Sequence, residues 1–134
     1  MSTNNVSKRS LGAKIAQVVL GLIFLVFGLN GFFNFIPMGS PPTGAAGDFV
    51  MGLFKSGYFL PFLKGVEVIC GILLLINRFA TLALLILAPI IINILLFHTF
   101  LAHEGLPMAI VLVGLLGYLA WTRKEAYKHV LTVE

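Results

Sequence analysis

Four long apolar runs divide the chain. The first, IAQVVLGLIFLVFGLNGFFNF, covers about 15–35, and the others cover about 60–76, 79–101 and 106–122. Each comes close to the roughly 20 apolar residues with which a helix crosses a bilayer core, so the pattern predicts four membrane-spanning helices. Between the first two runs lie the Pro- and Gly-rich PMGSPPTGAAG and then DFVMGLFKSGYF, which is too short and too polar to span. In the latter, Phe49, Leu53, Phe54 and Tyr58 follow a partial helical spacing, which predicts a short helix lying in the interface. Pro61 falls in the first turn of span two, where a missing N–H costs nothing. Asn77-Arg78 reads as a tight turn, and HEG at 103–105 as the next. Pro89 should kink span three and free the Leu85 carbonyl. Tyr118 and Trp121 close span four as an interfacial belt.

Composition fixes the class. Of 134 residues, 59% are hydrophobic and 10% charged, against about a quarter charged in soluble domains. The expectation is a single all-α domain, a four-helix transmembrane bundle with one interfacial helix between spans one and two. The net charge of +4 does not point to nucleic acid, because the basic residues lie between and beyond the apolar runs. There they act as topology signals and meet anionic head groups. Lys8, Arg9, Lys14, Arg78, Arg123, Lys124 and Lys128 flank one side of the predicted membrane, and only Lys55 falls in the loops on the other. The positive-inside rule then puts both termini in the cytoplasm. The first run is longer than a signal-peptide core of about 7–15 residues and no small-x-small site follows it, so it reads as a retained span. Cys70 is the sole cysteine, which excludes an intrachain disulfide and any CxxC motif.

The topology assigns a depth to each polar residue. Lys64 and Glu67, three residues apart, fall in the outer half of span two. Asn30 and Asn34 lie near the outer end of span one, and Asn93 and His98 in the outer half of span three. The inner halves carry little besides Gln17. A charge at the centre of a bilayer costs about 3 kcal/mol on insertion scales, so Glu67 must be protonated, paired with Lys64 or turned to a hydrated cavity. Lys64 could instead snorkel to the head groups. The asparagines could serve as interhelical glue worth on the order of 1 kcal/mol each, and His98 could be a satisfied interfacial residue. Gly28, Gly31, Gly65, Gly71, Gly114 and Gly117 would let helices or a flat ligand approach closely. His98 and His103 are five apart and no carboxylate–His pair accompanies them, so no metal site is expected. No phosphate loop, dinucleotide fingerprint or nucleophile elbow occurs.

The run GYFLPFLKGVEVICGILLLINRFATLALLILAPIIINILLFHTFL, with GLIFLVFGLNGFF before it and FVMGLFKSGYF between, resembles the DoxX family of small bacterial membrane proteins. The resemblance covers about 12–122. It implies a four-helix bundle in the bacterial cytoplasmic (inner) membrane, with some relatives linked to quinone-dependent sulfur oxidation and others to redox stress. Two expectations follow. In the first, the chain binds a quinone or similar amphipathic molecule, as a subunit of a quinone-linked oxidoreductase supplied with electrons by a redox partner. Glu67 then handles the proton, and Lys64, Asn93, His98, Asn30 and Asn34 line the ligand. In the second, it is a non-catalytic scaffold or assembly subunit of a larger membrane complex, and Lys64–Glu67 only fixes helix register. A small transporter is a third idea, which four spans would accommodate only as a homo-oligomer.

Overall fold

The structure, a computed structural model, describes residues 3–37 and 42–131. The described chain is helical throughout: α1 (Thr3–Phe33), α2 (Gly44–Lys55), α3 (Phe59–Ile76), α4 (Ala80–Phe100), a 3-10 turn at His103–Gly105, α5 (Leu106–Thr122) and α6 (Lys124–Leu131). Four of these segments are long and apolar enough to cross a membrane: Leu11–Phe33, Phe59–Ile76, Ala80–Phe100 and His103–Thr122. They match the four apolar runs to within a few residues, except that α1 continues about three turns toward the N-terminus. Beyond the fourth span the sequence pattern gave no element, and α6 is an addition.

The spans close into a ring in which α1 packs on α3, α3 on α4, α4 on α5 and α5 on α1. The α1–α3 contact is the most extensive, and glycines make it possible. A Cβ on Gly71 would lie 2.7 Å from the Leu25 nitrogen and 2.8 Å from the Gly21 carbonyl oxygen. Only two hydrogens allow these backbones to meet so closely. The core runs along the ring axis through Leu20, Phe24, Leu74, Leu84, Leu87, Ile91 and Leu119. Between their ends the four spans expose mainly apolar side chains, Asn93 excepted, which suits a bundle with lipid for solvent.

The ends of the helices follow from local chemistry. Asn34 terminates α1 in the left-handed region (φ 54°), its N–H bonded to the Asn30 carbonyl. The chain reverses between α3 and α4 through a Schellman motif. Asn77 is left-handed (φ 56°), its N–H donates to Leu74 and that of Arg78 donates to Leu73. Phe79 is left-handed as well (φ 54°), so the reversal takes three residues. Ser56 joins α2 to α3, donating to the Leu53 carbonyl at 2.7 Å and accepting from the Phe59 N–H at 3.1 Å. The helix α2 leans on the bundle through buried Ala46 and through Phe49, whose ring centroid lies 5.5 Å from that of Phe97. Pro89 stands inside α4 on its exposed side, and the helix continues through it.

Candidate functional site

On α3 the buried positions are Glu67, Cys70, Gly71 and Leu74, a stripe at the spacing of one helix face. Glu67 heads the stripe that meets α1, and only 5% of it is exposed. At 1.5 Å per residue it lies about 12 Å from Phe59 and about 13 Å from Ile76, close to the middle of the helix. Two glycines of α1 make room for it and its neighbour. Gly28 packs against Val68 and the Glu67 Cβ, and Gly31 against the aliphatic stem of Lys64. Lys64 Nζ donates to Glu67 Oε1 at 3.4 Å, with the Lys64 side chain 29% exposed and that of Glu67 6%. This is the only polar contact of Glu67 among the described residues. An ionised carboxylate has about four acceptor positions, so the group is both buried and poorly coordinated.

The other polar residues singled out from sequence have different occupations. Asn30 is buried, and its amide forms a pair of bonds with the chain after α1. The Ile36 N–H donates to Asn30 Oδ1 at 2.7 Å, and Asn30 Nδ2 donates to the Ile36 carbonyl at 3.2 Å. Asn34 is the exposed left-handed residue that ends α1. His98 Nδ1–H donates to the Ala102 carbonyl at 3.0 Å, its ring set edge-on to Phe97 and pressed against Gly105. Because a carbonyl only accepts, this bond places the ring hydrogen on Nδ1. It pins the turn that follows α4. Asn93 lies two residues beyond fully buried Ile91, which at about 100° per residue turns it to the opposite face, where it is exposed. The structure therefore joins Lys64 to Glu67, commits the side chains of Asn30 and His98 to the backbone, leaves Asn34 exposed at the end of α1, and faces Asn93 away from the ring. Among the described residues no group of three or more His, Cys, Asp and Glu side chains could hold a metal ion. Of the glycines, Gly65, Gly114 and Gly117 meet nothing within 4 Å.

A second polar cluster, at the Asn77 end of the bundle, escaped the sequence reading apart from Gln17. Gln17, 5% exposed, donates through Nε2 to the Leu74 carbonyl at 2.8 Å and to Asn77 Oδ1 at 2.9 Å. Arg123, between α5 and α6, donates to Gln17 Oε1 at 2.7 Å, to Asn77 Oδ1 at 3.1 Å and to Thr81 Oγ1 at 3.5 Å. The Tyr127 hydroxyl of α6 donates to the Thr81 carbonyl at 2.7 Å. Burial pushes that hydroxyl above the usual tyrosine range, and the nearby Arg123 guanidinium offsets this only in part. The cluster ties all four spans and α6 together, and every buried side-chain polar atom of the described residues has a partner.

Compared with known proteins, the chain matches no family model, no curated protein and no solved structure.

Proposed function

We propose that the chain is a multi-pass protein of the DoxX type in the bacterial inner membrane, and that Glu67 is its working residue. In this reading Glu67 and Lys64 face a quinone or a similar amphipathic molecule between the helices. Lys64 offers donors to a ligand oxygen, and Glu67 carries the proton that a quinone takes up on reduction, with electrons supplied by a redox partner. Both termini lie in the cytoplasm, as the distribution of Lys and Arg directs, and α2 rests in the opposite interface.

One observation carries the reading: Glu67 is buried half way along a span with, among the described residues, a single partner, 3.4 Å away on its own helix. A buried pair of this kind adds little stability. Replacing such pairs by apolar residues of similar size is often neutral or stabilising by about 1–4 kcal/mol. A carboxylate kept in so costly a place without bonds to neighbouring helices is better explained by chemistry than by packing. Because the Asn30 and His98 side chains already bond backbone groups and Asn34 is exposed at the end of α1, the site narrows to the Lys64–Glu67 pair and the α1 surface of Gly28 and Gly31.

Titration of the purified chain in lipid nanodiscs with a short-tailed quinone tests this. Saturable binding that is lost in Glu67→Gln is expected, and absence of saturable binding by the wild type overturns it. The scaffold reading makes the opposite prediction for a charge swap. If the pair only sets register, Lys64→Glu combined with Glu67→Lys retains function; a proton-handling Glu67 does not survive the exchange.

A further inference from the structure

The buried residues of α4, Ala80, Ala83, Leu84, Leu87 and Ile91, form one stripe. On its far side Leu82, Ile86, Pro89, Asn93, Leu96 and Phe100 are all exposed. At about 100° per residue, each of the six points within about 40° of the direction opposite Ile91. Their separations alternate four and three residues, the spacing of a coiled-coil seam. Five are apolar. The sixth, Asn93, sits about 4.5 Å along the axis from the midpoint of α4, and its amide bonds nothing among the described residues. No other polar side chain in the middle of a span is exposed among those residues.

We propose that this stripe is the interface between two copies of the chain, with the Asn93 amides hydrogen-bonded to each other across a two-fold axis along the membrane normal. Lipid tails offer an amide nothing, so an outward Asn93 at this depth calls for a protein partner. A carboxamide donates and accepts equally and is therefore complementary to itself across a two-fold axis. Copies inserted in the same direction have parallel α4 helices, which brings Asn93 to the same depth in both without further adjustment. The seam carries no charged residue, so like charges do not oppose the pairing. A single asparagine in an apolar seam fixes register and the number of chains. The exposed faces of α1 (Val18, Val19, Leu22) and α5 (Ile110, Val111) carry no such group, and lipid alone satisfies them. The inference needs α4 to lie in a membrane but does not depend on the Glu67 site. A Glu67→Gln chain should dimerise normally, and failure of the dimer would leave the ligand reading standing.

The test is energy transfer between donor- and acceptor-labelled full-length chains in liposomes over a range of protein-to-lipid ratios. Wild type should dimerise, Asn93→Leu should dissociate about tenfold more readily, and Asn93→Gln should keep most of the affinity. In a Cys70→Ala background, single cysteines at Ile86 and Leu96 should cross-link between copies on oxidation, while one at Ile110 should not. A wild type that stays monomeric means that lipid or a different partner covers the stripe, and overturns the proposal. A dimer of unchanged affinity in Asn93→Leu, or cross-linking at Ile110 and not at the seam, overturns it equally.

Discussion

The polar groups at the Asn77 end of the bundle and those around Glu67 obey opposite rules. At the first, Gln17, Asn77, Thr81, Arg123 and Tyr127 come from five segments, and each bonds a segment other than its own. At the second, Lys64 and Glu67 come from one helix and, among the described residues, bond only each other. Bonds between helices hold the helices in place, whereas a bond within one helix leaves its neighbours free. The first cluster is therefore a lock for the bundle. The second depends on the bundle for its burial and gives little support in return.

That contrast can be broken first at Arg123. Arg123→Ala removes three donors and leaves the Gln17 and Asn77 oxygens short of partners, so stability should fall by about 3 kcal/mol. Unfolding by SDS, followed by circular dichroism, reads this loss; a loss under about 1 kcal/mol would remove the lock from the account. Gly71→Ala comes next. Its Cβ meets the α1 backbone rather than a movable side chain, so the helices must separate, at about 2 kcal/mol.

Tyr127 gives a smaller effect with a pH signature. Its folded value is raised, so the stability from its hydroxyl is complete below the ordinary tyrosine value of about 10. That stability disappears as pH rises through the higher folded value. Alkaline titration followed by hydrogen exchange of α6 should show loosening above about pH 10. Tyr127→Phe should lack that step and lose about 1 kcal/mol at neutral pH. The smallest change belongs to Lys64→Met combined with Glu67→Leu, which should leave stability within about 1 kcal/mol of wild type or raise it.

Much of this fold was legible in the sequence because the length and hydropathy of a span are local properties. The α3–α4 reversal was legible for the same reason, since Asn77-Arg78 is the only break between two apolar runs. Depth could be read too, and it placed Asn93 and His98 together in one half of the bundle. Rotation about the helix axis could not, because α4 is apolar on every side and gives no phase signal. Asn93 and His98 consequently share a depth but not a face. The Gln17–Arg123 bond joins residues 106 apart and leaves no local mark in the sequence. Gln17 was visible as an isolated polar residue in an apolar run, while Arg123 looked like an ordinary basic flank.

In the proposed reading Glu67 works and does not brace. Measuring quinone affinity and unfolding free energy on the same preparations of wild type and of the Lys64→Met, Glu67→Leu double variant, which removes both charges together, tests it most directly. The account predicts stability within about 1 kcal/mol of wild type and binding weakened at least about tenfold, equivalent to about 1.4 kcal/mol. A variant that loses several kcal/mol of stability while binding as tightly as wild type would contradict it.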